Sequence, residues 1–397
     1  MARHKIILCV QALLLSFNFG YPIFGPYRES KPDKATVSGI VTLSGAEAGG
    51  IDIRHRGERG GVISGVVSGP AGSETISVSV MLYGLPSGTE AASSLIQAGV
   101  ARGFTFQGQP EGEYMIIARS FNEENNHSSA PRHIILKGND VTGLELKLLP
   151  LGSISGGIVF ESLPAGCGDK PKLRLEEFGL SAIRDDLPKD GSVFMPWRSF
   201  SLPGANENGE FTINSIDPGH YRIGMRLPDE NLYVKTITAP ASAPSRKGAQ
   251  AAVNAISRDG VALKQGEKLS GVTVTVAEGA ASLRGKLIAE KEGARLPERL
   301  RAYLVPAEPN ATDDVLRYAE SVIGSDNDFT FTNVAPGKYR LITRVSPNEE
   351  QVNRPATSTA WEANERAKLR REAMNAKYLI ELQPCGRVED FVLRFNP

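Results

Sequence analysis

Cysteine is scarce in this chain of 397 residues, which carries only Cys9, Cys167 and Cys385. None of them forms a Cys-x-x-Cys pair, so zinc ribbons and thioredoxin-type chemistry are excluded. Cys167 and Cys385 can pair across the chain, but at such a separation unpaired thiols are the simpler expectation, and the redox compartment stays open. An excess of charge is also lacking: 45 basic residues balance 45 acidic ones. No overall field then draws the chain to nucleic acid or to an anionic membrane, and no nucleic-acid partner is expected. The mixed charged run near Glu362 to Glu372 is read as a solvated face.

Catalytic signatures are missing as well. There is no Gly-x-Ser-x-Gly elbow, phosphate loop, dinucleotide fingerprint or His-Glu-x-x-His helix. Of the five histidines, His127 and His133 lie near Glu123 and Glu124, yet their spacing matches no zinc motif and a solvated loop is the expectation. His220 occupies a turn position and needs no further role. Asp326-Asn327-Asp328 and Asn206-Glu207-Asn208-Gly209-Glu210 resemble fragments of calcium loops but lack the distal bidentate Glu, so they are read as turn formers. No enzyme activity, cofactor or metal is expected.

Apolar runs long enough to span a membrane are absent. The longest, Ile6 to Phe19, follows the basic start Met1-Ala2-Arg3-His4-Lys5 and has the length of a signal h-region. Residues 1–25 are therefore expected to be an export segment, with a mis-assigned start as the competing reading and no membrane span beyond it.

What the chain has in abundance is turn chemistry: Gly at 41 and Pro at 25 without a collagen period, as an all-β protein with many turns requires. One phrase recurs. Phe104-Thr105-Phe106 leads to Gly112-Glu113-Tyr114, Phe211-Thr212-Ile213 to Pro218-Gly219-His220-Tyr221, and Phe329-Thr330-Phe331 to Pro336-Gly337-Lys338-Tyr339. In each copy the Tyr follows the first Phe by ten residues. Alternation puts both rings of the Phe strand on one face, Pro-Gly suits the centre of a type II turn, and the phrase reads as a hairpin.

Each phrase is framed by an opening strand with a central Gly, at Gly65, Gly156 and Gly285, and by an alternating closing strand, at Gly143–Leu148, Gly271–Val276 and Asp390–Phe395. Strict alternation means one buried and one wet face, as in an antiparallel sandwich. Gly143 to Gly156 is 13 residues and Gly271 to Gly285 is 14, so the linkers are short. Modules are expected at 61–150, 151–279 and 280–397, with a partial remnant at 26–60 that holds an orphan closing strand, Gly50–His55. One helix is expected at about 360–378, opened by the capping box Thr359-Ala360-Trp361-Glu362. Its apolar contacts would come from Trp361, Leu369 and Ala373, with Met374 and Tyr378 as further candidates. Ala239 to Val253 reads as a flexible loop.

This order of Gly strand, Phe-x-Phe, Pro-Gly-x-Tyr and closing strand resembles the carboxypeptidase regulatory-like domain and its transthyretin-like and Cna B-type relatives, over residues 61–397. The resemblance implies tandem Greek-key β-sandwiches of the prealbumin or immunoglobulin-like kind, usually extracellular and grouped with carbohydrate-binding-like folds. No catalytic residue comes with it. Some Cna B-type relatives carry a Lys to Asn isopeptide crosslink, but Lys286 alternates onto the wet face here, so none is expected.

The chain is thus read as a non-enzymatic secreted or cell-envelope array with structural, adhesive or recognition roles. The alternatives are an accessory array of a separate hydrolase or transporter, and a shortened copy of a longer surface protein. Its partners would be a polysaccharide or another surface protein. The candidate ligand residues are Trp197, Phe194 and Arg198, in the long insertion before the second Phe strand, where the indole either stacks on a sugar ring or caps the core beneath it.

Overall fold

The computed structural model describes residues 60–70, 76–98, 102–120, 126–163, 167–168, 173–186, 199–201, 204–240, 255–291, 295–345 and 358–395. The export segment, the remnant up to Arg59 with its orphan strand, and Phe194, Trp197 and Arg198 lie outside these residues. The fold is all-β: the described residues form three β-sandwiches in tandem, with a helical insertion in the last.

The first sandwich is built from β1 (Gly61–Ser68), β2 (Val78–Leu85), β3 (Thr89–Ile96), β4 (Gly103–Gln109), β5 (Gly112–Ser120), β6 (His127–Ser128), β7 (Arg132–Leu136), β8 (Val141–Lys147) and β9 (Leu149–Pro150). One sheet has the order β4-β1-β8; the facing sheet runs β3-β2-β5-β6-β9, with β7 also on β5. The second contains β10 (Gly152–Glu161), β11 (Gly179–Arg184), β12 (Ser199–Ser201), β13 (Glu210–Ile216), β14 (Gly219–Arg226), β15 (Leu232–Thr238), the short helix α1 (Ala255–Asp259), β16 (Val261–Leu263) and β17 (Lys268–Glu278). Its sheets are β13-β10-β17-β15 and β12-β11-β14-β16. The third consists of β18 (Ala281–Ala289), β19 (Leu300–Pro306), β20 (Ala319–Val322), β21 (Asp328–Val334), β22 (Gly337–Val345), helix α2 (Ala363–Met374), β23 (Tyr378–Leu382) and β24 (Arg387–Phe395), in sheets β21-β18-β24 and β20-β19-β22-β23.

In every sandwich the opening strand lies between the Phe strand, which is antiparallel to it, and the closing strand, which is parallel to it. The sheets are therefore mixed, not purely antiparallel as the alternation suggests. The parallel pair has a topological consequence: the chain enters each sandwich at one pole and leaves at the other, so successive units follow one another directly. The opening-strand glycines are explained by this pair. A Cβ on Gly65, Gly156 or Gly285 would lie 2.1, 1.8 or 2.1 Å from the carbonyl oxygen of Leu144, Val272 or Phe391 on the closing strand, closer than any side chain can sit.

The repeated phrase is an arch and not a hairpin. β4, β13 and β21 pair with the opening strands, while β5, β14 and β22 belong to the opposite sheets. Phe329, Phe331, Tyr339 and Leu341 still share one core, as do Phe104, Phe106 and Tyr114 in the first sandwich. Burial of those rings is satisfied equally by a hairpin and by two facing sheets, which is why alternation alone could not separate them. The bend comes from a bulge four residues after the first Phe, where Gly108, Ser215 and Asn333 all have a positive φ, of 68°, 64° and 56°. The type II turn is not formed either. Of the three corner glycines only Gly337 has a positive φ, and at 146° it lies outside the range that turn needs.

Helix α2 begins at Ala363, and the capping box does not form. Ser358 caps the preceding single turn Thr359–Trp361, while the Thr359 hydroxyl donates to Glu320 at 2.8 Å. Leu369 and Ala373 pack on Tyr303 and Val305, on the outer face of β19, whereas Met374 is exposed and Arg366 is buried, donating to the Ala360 carbonyl at 2.7 Å. Among the described residues no helix is long and apolar enough to cross a membrane.

Candidate interaction site at the joints between sandwiches

The corner of each arch is locked by its tyrosine. The hydroxyls of Tyr114, Tyr221 and Tyr339 donate to the carbonyls of Pro110, Asp217 and Ala335, each four residues upstream, at 2.6, 2.9 and 2.7 Å. Burial raises the pKa of all three phenols, that of Tyr339 to about 12, with the Arg317 guanidinium opposing the rise. In the second and third sandwiches an arginine and an acid cover the corner glycine. Arg317 donates to the Tyr339 hydroxyl at 2.8 Å and to Glu308 at 2.9 Å, and Glu308 accepts the Lys338 amide at 2.8 Å. Arg184 donates to Asp186 at 2.6 Å, and Asp186 accepts the His220 amide at 3.1 Å. A Cβ on Gly337 or Gly219 would come within 2.0 or 2.6 Å of these guanidiniums, so glycine here makes room for the cation.

The same corners of the second and third sandwiches sit on the unit before them. At the first joint, buried Arg119 on β5 forms a salt bridge with Asp217, two residues past the bulge. The Asn126 amide donates to the hydroxyl of the bulge residue Ser215, Gln265 donates to the Pro150 carbonyl, and the Leu151 amide bonds the Asn126 carbonyl at 2.9 Å. Burial pushes the Asp217 carboxyl up, Arg119 and Arg184 opposing, and pushes the Arg119 guanidinium down.

At the second joint the bulge residue Asn333 donates to the carbonyls of Asp229 and Leu232 at 2.8 and 2.7 Å. The amides of Gly279 and Ala280 both bond the Asn231 carbonyl at 2.9 Å. Cys167 and Cys385 form a disulfide across the joint, 218 residues apart in sequence, which corrects the expectation of unpaired thiols. The fold supplies what sequence distance concealed: their Cα atoms lie 5.3 Å apart because the loop after β10 meets the turn between β23 and β24. Arg222 also bridges these two sandwiches: it is held by Asp185 at 2.7 Å, donates to the Trp361 carbonyl at 3.0 Å, and stands 5.7 Å from the centre of the Trp361 ring.

The other expected site residues fall as follows. Trp197, Phe194 and Arg198 lie outside the described residues, as do Glu123 and Glu124. His133 pairs with Glu113 at 3.1 Å on the surface, and His220 contacts Asp185. Asn206 accepts the amides of Asn208 and Glu210 at 3.0 and 2.8 Å, the geometry of a turn former. Among the described residues no group of three or more His, Cys, Asp or Glu could hold a metal. Lys286 is exposed. Arg119, Asp217 and Asn333 escaped sequence reasoning; aligning the three copies at the fourth position after Phe would have shown a recurrent small or polar residue there.

No family model matches the chain, and no curated protein does. Among solved structures it is similar to the Bacillus anthracis TIE protein, with 11% identity over 85% of this chain and 51% of that one, and a TM-score of 0.19. BcpA, the major pilin subunit of Bacillus cereus, shares 10% identity over 85% of this chain and 99% of its own, at a TM-score of 0.19. The fimbrial anchor protein Mfa2 from Porphyromonas gingivalis shares 12% over 41% and 76%, at 0.22. The chain spans about half the length of the TIE protein. Likenesses at these scores carry no argument about role.

Proposed function

We propose that this chain is a non-enzymatic array of the cell envelope or its exterior, a stiff spacer that presents recognition surfaces. The observation that carries this reading is the construction of the joints. Only Gly279 and Ala280 separate β17 from β18, only Leu151 separates β9 from β10, and both joints are crossed by buried polar contacts or a covalent bond. A protein that needed hinge motion would place polar, flexible linkers there instead. The disulfide supports an oxidising compartment outside the cytosol. Within this reading the modules are of the carboxypeptidase regulatory-like type, and the partner is a polysaccharide or another surface protein. Trp197, flanked by Phe194 and Arg198, offers an aromatic plane and a donor for a sugar ring.

The test has two arms. Intact producing cells treated with an impermeant amine-reactive label should yield labelled protein, and purified full-length chain should be retained on at least one immobilised polysaccharide or surface protein. Label confined to lysed cells would overturn the location. Turnover of a glycoside, ester or peptide substrate would overturn the non-enzymatic role.

A further inference from the structure

The three sandwiches finish the outer edge of their closing strand in three ways. In the second, β15 runs antiparallel along β17, with Thr238 opposite Thr273, Ile237 opposite Val274 and Leu232 opposite Glu278, and Leu232 and Ile237 join the core. In the third, the Tyr378 hydroxyl accepts the Arg394 amide at 3.2 Å, and the Tyr378 ring packs edge-on against Phe391 at 5.7 Å. In the first, neither device is present among the described residues. Aligning Gly143 with Gly271 and Asp390 places Glu145, Leu146 and Lys147 where β17 receives β15, while Leu149 beyond them already pairs with Ser128 of the facing sheet. Aligning Ile116 with Leu341 places Arg132 where Tyr378 stands.

Along that edge lies a groove of about 260 Å³, lined by Ala130, Pro131 and Arg132 on one side and by Glu145, Leu146, Lys147 and Leu149 on the other. Its rim carries two cations and one carboxylate, a net positive charge: Arg132 and Lys147 have no ion-pair partner among the described residues, and Glu145 accepts from the Ser68 hydroxyl at 2.7 Å. An open strand edge presents backbone donors and acceptors in a row, and an added strand satisfies them.

We propose that the β8 edge of the first sandwich is a docking site for one extended polypeptide strand donated by a partner protein. The strand runs antiparallel to β8, as β15 runs along β17, with alternate apolar side chains directed toward Leu146 and Leu149. An acidic residue on it meets Arg132 and Lys147. The site is independent of the sugar surface suggested for Trp197.

The natural partner strand being unknown, the probe is a fluorescein-labelled synthetic peptide spanning Asn231–Thr238 with Lys235→Glu. In the second sandwich Lys235 pairs with Glu161 at 2.5 Å, so the change disfavours exchange with β15 while matching the cationic rim. The full chain should bind this peptide, with amide exchange at Glu145 and Lys147, whose backbone faces away from β1, slowed at least tenfold, and the unsubstituted peptide should bind at least fivefold more weakly. Ala130→Trp, which fills the groove from an exposed position, should weaken binding at least tenfold without moving the melting temperature. Absence of binding, equal affinity in Ala130→Trp, or protection on β17 in place of β8 would each overturn the proposal.

Discussion

The two joints use the same corner of the arch on the same pole of the preceding unit, yet they are fastened by different chemistry. At the first, Ser215 and Asp217 meet Asn126 and Arg119, and the centre of the contact is a buried ion pair. At the second, Asn333 takes the place of Ser215 and Ala335 that of Asp217, so the buried ion pair is absent; the Asn333 hydrogen bonds and the Cys167–Cys385 bond replace it, and Arg284 meets Glu230 across the joint only at the exposed surface, at 3.6 Å. A charged centre depends on both partners being present, since removing one leaves the other desolvated without compensation. A covalently closed joint without a buried ion pair loses its bonds one at a time. The first joint should therefore fail abruptly to a single substitution, and the second only when the disulfide opens.

Reduction is the strongest way to break this contrast. Opening Cys167–Cys385, or replacing Cys385 by Ser, should cost about 3–5 kcal/mol, because the bond closes a long loop of chain in the unfolded state. Calorimetry with and without reductant should show the second and third sandwiches melting earlier while the first is unmoved. A shift shared by all three would mean that the first joint transmits the loss.

Next in size is Arg119→Ala, expected to cost about 3 kcal/mol through the stranded Asp217 carboxylate. Urea unfolding of the oxidised protein measures it, and an effect below that of Asn333→Ala would contradict the ranking. Asn333→Ala should itself cost about 1–2 kcal/mol, from two lost hydrogen bonds and a residue without amide support at positive φ. Asn333→Gly separates these causes: it relieves the backbone and leaves only the hydrogen-bond loss.

The smallest effect concerns pH. The folded carboxyl of Asp217 sits above its unfolded value, chiefly through burial, so the native state holds the proton more tightly. The stability linked to this group is full below the ordinary carboxyl value and is lost as pH rises through the raised one. Mild acid should thus leave the first joint intact, and the parent should gain slightly on Asp217→Asn between neutral pH and pH 4. Urea midpoints of the two proteins at both values test the sign; a relative loss on acidification would reverse it.

Much of the architecture was legible along the chain, and the residues show why. Phe104, Phe211 and Phe329, with their tyrosines ten positions on, recur because each arch must bury the same rings against the same core. Gly65, Gly156 and Gly285 recur because a closing-strand carbonyl occupies the space of a Cβ. Pairing partners were less legible: alternation records that a face is buried, not which strand lies beside it, so the arch passed for a hairpin and the parallel pair for an antiparallel one.

Periodicity and spacing by themselves determined that this protein is a tandem series of β units with short connections, since local side-chain pattern is what burial on a sheet demands. Only the tertiary structure decided how those units hold together. Arg119 and Asp217, and Cys167 and Cys385, are each brought together by the path of the chain through space, and contacts between residues remote in sequence leave no periodic trace in it.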